Sequence, residues 1–91
     1  MNGKRERLQI IHDILVTIQK NDGKVKPTHI LYKANLSHQM LDEYLDELIS
    51  KEFIVEKKIK SLKTYSLSDK GFKFLEKYGL ITEFVDSFGL N

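Results

Sequence analysis

The segment from Lys26 to Ile54, KPTHILYKANLSHQMLDEYLDELISKEFI, limits the possible folds more than any other part of the chain. Pro27 and Thr28 suit the first turn of a short helix, where a missing N–H is harmless. Ile30, Leu31 and Ala34 give that helix an inner face. Asn35 ends it, because asparagine tolerates the left-handed conformation, and Leu36 plugs the turn that follows. Ser37 is then the N-cap of a longer amphipathic helix with inward positions Leu41, Tyr44, Leu45, Leu48 and Ile49. The β-favouring run Phe53-Ile54-Val55 comes directly after it.

The flanking segments complete a pattern. A first helix from about Lys4 to Lys20 places Leu8, Ile11, Leu15 and Ile18 on one face, with Ile14 widening it. Asn21-Asp22-Gly23 is a turn, and Val25 is extended before the proline. In TYSL, Tyr65 and Leu67 alternate as a partner strand for the Phe53 run. The tip from about Lys58 to Lys63 lacks Gly and Pro, so its turn type is not defined by sequence. Ser68-Asp69 starts a last helix reaching about Phe88, with Asp69 at its positive end. Three helices and a hairpin, followed by one more helix, make a mainly α, α+β chain of winged helix–turn–helix layout. Residues 1–68 form the winged domain and residues 69–91 the C-terminal helix.

That last helix has two sets of apolar positions. Phe72 and Leu75 are expected to face the domain's own core. Phe74, Tyr78, Ile81, Val85 and Phe88 recur at alternating spacings of four and three, a short heptad seam that suits a second copy of the chain, with folding back on the same chain as the alternative. Gly79 weakens a helix by about 1 kcal/mol, so the segment either continues through it or divides there.

Composition excludes several classes. Ninety-one residues suffice for one modest core. The chain has no cysteine, which removes disulfide and thiolate chemistry and fits a reducing, cytoplasmic setting. No uninterrupted aliphatic or aromatic run exceeds three residues, too short for a membrane span. The basic-then-apolar start reads as an amphipathic helix and not a secretion signal, because Gln9, His12 and Asp13 interrupt it. The net charge of +2 is uninformative, but its distribution is not. Residues 1–35 carry +4, residues 36–52 carry −4 and residues 53–70 carry +3. Two basic regions thus flank an acidic one.

In a helix–turn–helix the second helix of the motif enters the major groove by its first turn. His38 and Gln39 stand there, and glutamine can pair bidentately with adenine. Asp42, Glu43, Asp46 and Glu47 follow on the outward side and would repel phosphates, a solvated face in the plainest reading. The phosphate-binding candidates lie elsewhere. Lys57, Lys58, Lys60 and Lys63 crowd the hairpin tip, where a concentration of like charge has no folding benefit. Lys26, Thr28 and Lys33 surround the short helix, whose N-terminus suits an anion. Lys4, Arg5 and Arg7 begin the first helix. His12, His29 and His38 lack metal-ligand spacing, the carboxylate pairs lie on an open helix face, and no phosphate loop or nucleophile elbow occurs. No catalytic site, metal or cofactor is expected.

The pieces KPTHILYKANLSHQMLDEYLDELISKEFI and TYSLSDKGFKFLEKY resemble archaeal winged helix–turn–helix proteins with a C-terminal helix, over about residues 5 to 78. The A-N-L-S and S-D-K-G-x-x-F-L segments carry the likeness. The family includes small chromatin-associated DNA binders, which dimerise through an antiparallel coiled coil of the last helix, and regulators of transcription. The resemblance implies groove-facing roles for Ser37, His38 and Gln39 and a backbone role for Lys57 and Lys58. It further implies a homodimer on double-stranded DNA, in the cytoplasm and associated with the nucleoid. The chain departs from the family pattern at Glu52, where a glycine is usual, and in its short, glycine-interrupted last helix. A rival expectation is a protein-interaction module that presents the acidic face of the second motif helix to a basic partner.

Overall fold

Two helices turned tightly on one another, a third beneath them and a hairpin alongside enclose a single apolar centre. The computed structural model describes residues 6–21 and 24–90. In chain order the elements are α1 (Arg7–Lys20), α2 (Pro27–Ala34), α3 (His38–Ser50), β1 (Ile54–Ile59), β2 (Leu62–Leu67) and α4 (Asp69–Ser87). The expected helix start at Lys4, the basic residue Arg5, and Asp22-Gly23 of the first turn lie outside the described residues.

Periodicity explains which faces are buried. Ile10, Ile11, Ile14, Leu15 and Ile18 of α1 are enclosed, together with Ile30 and Ala34 of α2 and Leu41, Leu45 and Leu48 of α3. At 100° per residue, Leu8 falls just past the Leu15 edge of the α1 stripe. It is 54% exposed, and Ile10 on the opposite edge takes the buried place that was expected of it. Val25 is fully enclosed and forms an isolated antiparallel bridge with Tyr65, so the α1–α2 connection lies against the hairpin.

Three helices end by the same device. One or two residues past the helix the chain turns left-handed, and the next N–H reaches back five residues, as in a Schellman motif. Asn35 has φ 55° with Leu36 N–H on the Leu31 carbonyl at 3.0 Å. Glu52 has φ 65° with Phe53 N–H on the Leu48 carbonyl at 2.9 Å. Gly89 has φ 68° with Leu90 N–H on the Val85 carbonyl at 3.0 Å. Leu36 is buried behind the first of these turns, which is how α2 and α3 meet so closely.

The hairpin pairs Ile54 with Leu67 through Ile59 with Leu62, leaving Lys60-Ser61 as a two-residue turn. Lys60 supplies the positive φ, 59°, that glycine or asparagine more often provides at such a turn.

Ser68 fastens α4 to this frame. Its hydroxyl accepts from Gly71 N–H at 3.2 Å and donates to the Glu52 carbonyl at 2.5 Å, while its own N–H donates to the Phe53 carbonyl at 3.1 Å. A Cβ at Gly71 would sit 2.4 Å from the Phe53 carbonyl oxygen, so the helix touches the domain at this glycine. The inward face of α4 is therefore centred on Gly71 and continues three, four and seven residues later at Phe74, Leu75 and Tyr78. Phe72, expected to face inward, lies to one side of that stripe and is 49% exposed. Phe74 packs edge-on against Phe53, with ring centroids 5.8 Å apart, and Tyr78 stacks on His12 of α1 at 4.4 Å. The helix runs unbroken through Gly79.

Candidate nucleic-acid interface

The first turn of α3 is set by its cap. Ser37 Oγ accepts from Met40 N–H at 3.2 Å, which orders the start of the helix and leaves Ser37, His38 and Gln39 exposed. Gln39 Nε2 lies 3.4 Å from Glu43 Oε2, a long hydrogen bond along the exposed side of the helix.

The acidic stretch of α3 is divided in two by its surroundings. Asp42, Glu43 and Asp46 are exposed. Glu47 is held by Arg7 of α1 and by Lys51 Nζ at 2.7 Å. The Arg7 hydrogen bond, followed by the Lys51 hydrogen bond, lowers the Glu47 carboxyl to about 2. Arg7 also stands over the Tyr44 ring, 5.6 Å from its centroid. A residue read from sequence as a phosphate candidate is thus engaged in joining α1 to α3, and the negative charge of Glu47 is offset within the fold. Only the three-dimensional packing brings residues 7 and 47 together; no local sequence signal marks them.

In the hairpin, alternation sorts the lysines. Ile54, Glu56 and Lys58 of β1 share a face with their register partners Leu67, Tyr65 and Lys63. Lys58 and Lys63 are thus directly opposed at the outer end of the face whose inner end is buried. Lys57 stands on the other face, opposite Thr64, and Lys60 caps the tip. All four are exposed, and they surround the tip instead of lining one side of it. Glu56 lies between this cluster and the core. It is 3.9 Å from Lys63 Nζ, and it accepts a hydrogen bond from the Tyr65 hydroxyl at 3.3 Å. Burial, and next the negative charge of Glu56, push the Tyr65 phenol up to about 12.

The remaining basic candidates sit around α2. Lys26 and Thr28 are exposed at its start. Lys33 lines a cleft of about 350 Å³ between α1 and α2, together with His29, Lys20 and Thr17. Among the described residues no group of three or more His, Cys, Asp or Glu is placed to hold a metal ion, and no helix is long and apolar enough to cross a membrane.

The residues of the expected C-terminal seam separate into two groups. Phe74 and Tyr78 pack within the chain, as described. Ile81 and Phe88 are exposed, and Val85 is half-buried. Leu80 and Phe84, which the heptad spacing did not single out, are also exposed and fall beside Ile81 and Phe88 at 100° per residue. The distal half of α4 thus presents a continuous apolar face.

A helix–turn–helix whose second helix leads into a two-stranded hairpin, with an exposed first turn and a basic tip, defines a winged-helix protein. The chain belongs to the winged helix–turn–helix family, whose profile matches residues 4–85. Two uncharacterised proteins of the archaeon Methanocaldococcus jannaschii are similar to it. One is 35% identical over 74 residues, covering 81% of this chain but 32% of its own length; the other is 32% identical over 84 residues, covering 92% of this chain and 80% of its own. The chain therefore spans about a third of the first relative and most of the second. Among solved structures, Sso10a-2, described as a DNA-binding protein from Sulfolobus solfataricus, superposes with a TM-score of 0.75 at 25% identity, covering 93% of this chain and 90% of that one. MepR, a transcription regulator of a Staphylococcus aureus multidrug efflux pump, has the same fold, with a TM-score of 0.75 at 17% identity over 87% of this chain and 60% of its own.

Proposed function

We propose that this protein binds double-stranded DNA as a regulator of transcription or a minor nucleoid component, without catalytic activity. The single observation that carries the reading is the hairpin tip, where Lys57, Lys58, Lys60 and Lys63 are all exposed around one two-residue turn. The similarity to Sso10a-2 over nearly the whole of both chains adds support. In this mechanism the first turn of α3 enters the major groove with Ser37, His38 and Gln39 at base edges, and the wing lysines neutralise phosphates to either side. Lys26, Thr28 and Lys33 at α2 contact the same backbone. The exposed Asp42, Glu43 and Asp46 confine base reading to that first turn. Two copies joined through α4 address two half-sites, one or more helical turns apart.

The test is titration of labelled duplex DNA across a salt series. Binding weakens steeply with salt, and the slope falls by roughly 0.9 for each phosphate contact removed. Changing all four wing lysines to alanine therefore flattens it. A wild-type protein that binds no duplex at low salt sinks the proposal.

A second reading is a protein-interaction module, favoured by the same three exposed acids on α3. Changing Asp42 and Glu43 to lysine strengthens DNA binding in the first reading and abolishes capture of a basic partner in the second.

A further inference from the structure

The hairpin has one paired edge and one open edge. Val25 bridges β2 at Tyr65 on one side, while the outer side of β1 meets no other strand among the described residues. The Lys60-Ser61 turn fixes which peptide groups face that open side. Its closing pair, Ile59 and Leu62, is hydrogen-bonded, and bonded pairs alternate with unbonded ones along an antiparallel ladder. Ile54, Glu56 and Lys58 therefore direct their N–H and carbonyl groups outward. Among the described residues no backbone hydrogen bond from outside the hairpin reaches Glu56 or Lys58. The Val25 bridge falls at Tyr65, the register partner of Glu56, in agreement with this phase. Side chains alternate with the pleat, so Val55, Lys57 and Ile59 share the face turned away from the core, where Val55 and Ile59 are 53% and 56% exposed.

Lysines on an open edge ordinarily protect it from pairing, because like charges meet across it. This edge differs, because its sequence complements itself when reversed. Set antiparallel to a second copy with Lys57 on the two-fold axis, Glu56 stands opposite Lys58 of the second copy, and Lys58 opposite its Glu56. The same register sets Val55 against Ile59 in both directions. Ile59 already has Leu62 on its other side, so exposed aliphatic side chains form continuous rows across the joined strands. Glu56 has an oxygen for this contact: Tyr65 and Lys63 both engage its Oε2 and leave Oε1. The turn of the second copy then reaches Ile54, where a groove of about 470 Å³ lined by Ile49, Glu52 and Glu56 offers carboxylates to its Lys60. The neighbouring registers set Glu56 against Glu56 or Lys58 against Lys58. One like-charge contact remains, Lys57 against Lys57, and a phosphate between them removes the repulsion.

We propose that β1 is a self-recognising edge. Neighbouring copies pair their β1 strands about a two-fold axis at Lys57 and join their hairpins into one four-stranded antiparallel sheet, with duplex DNA supplying the phosphate that the Lys57 pair needs. The pairing follows from the strand itself; its occurrence on DNA rests on the DNA-binding reading. It is separate from the apolar face of α4. It joins molecules bound side by side, so occupancy of one site favours occupancy of the next.

The chain has no cysteine, so Lys57→Cys places a single thiol at the proposed axis, where opposed Cα atoms of an unbonded antiparallel pair lie about 4.5 Å apart. The substitution also removes the Lys57 repulsion, so the cross-link forms without DNA as well as with it. Thr64→Cys, at the register partner on the same face but one strand away from the edge, is the control. On mild oxidation of the full chain, Lys57→Cys is expected to run as a covalent dimer and Thr64→Cys as a monomer. Cross-linking of Lys57→Cys no greater than the control overturns the pairing. Charge exchange then tests the register. Glu56→Lys and Lys58→Glu each set like charges opposite one another and turn a sigmoidal DNA-binding isotherm hyperbolic. Their equal mixture, or the double variant, restores the sigmoid. A role for Lys58 in phosphate contact alone gives no such restoration, so a folded double variant that stays hyperbolic overturns the register. If circular dichroism shows that Glu56→Lys loosens the hairpin, the cross-link decides. A wild type that binds no duplex overturns the DNA-binding reading, and the cross-link in free protein then decides the pairing by itself.

Discussion

Two glycines in α4 do opposite things, and both effects can be measured. Gly71 has the Phe53 carbonyl where a Cβ would be, 2.4 Å away, whereas a Cβ at Gly79 meets nothing within 4 Å. Gly71→Ala must push α4 off its seat and loses the Ser68 contacts with it, so a destabilisation of about 2 kcal/mol or more is expected. Gly79→Ala only removes backbone freedom from the unfolded chain and stabilises by about 0.5–1 kcal/mol. Denaturant midpoints of the two variants should move in opposite directions. Glu52 provides a third case. It closes α3 at φ 65°, a conformation that L side chains occupy at a penalty of about 1 kcal/mol. A glycine adopts this φ without that penalty, so Glu52→Gly should raise the midpoint, by less than the penalty because glycine gives the unfolded chain added freedom.

At the scale of elements, the helices, caps and strand order were legible in the sequence because each depends on near neighbours. Asn35, Leu36 and Ser37 specify the α2–α3 turn within three residues, and Ser68 specifies the start of α4. What could not be read depends on contacts between distant segments. The phase of α4 is one instance: periodicity alone does not reveal that Gly71 is the contact point, so Phe72 reads as inward and Phe74 as outward. The Arg7–Glu47 contact is another, joining residues forty positions apart. It carries its own prediction. Arg7 and Lys51 hold the Glu47 carboxyl down to about 2, against 4.5 for an ordinary glutamate. A folded-state value below the unfolded one means the stabilisation is complete above pH 4.5 and is lost as pH falls towards 2. Glu47→Gln should therefore flatten the fall in melting temperature over that interval. Because Arg7 is an exposed partner, added salt should reduce the difference between variant and wild type.

For the whole molecule, the question is what covers the distal half of α4. Leu80, Ile81, Phe84 and Phe88 are 60%, 63%, 61% and 66% exposed, an apolar face of a kind that soluble monomers rarely leave to water. Phe84 and Phe88 already lean together, with centroids 5.0 Å apart, but nothing else among the described residues covers them. The seam expected from heptad spacing began at Phe74. With Phe74 and Tyr78 engaged by Phe53 and His12, the surface left for a second copy begins near Leu80 and is displaced around the helix towards Phe84. A two-fold pairing of this short face buries less than a coiled coil running the length of α4, so dimerisation should depend on protein concentration and not be obligate. Phe84→Asp with Phe88→Asp should give a folded monomer by sedimentation across the concentration range, with unchanged far-ultraviolet circular dichroism apart from fraying at the end of α4. Phe74→Asp should instead destabilise the fold by removing the ring packed edge-on against Phe53 and putting a charge at the seat of α4. If DNA binding requires two half-sites, the folded monomer should bind a single site weakly and lose the length dependence that a spaced pair of sites imposes on the wild type. Equal association by the distal variant and the wild type would return the seam to the Phe74 face, at the expense of the packing of α4 on its own domain.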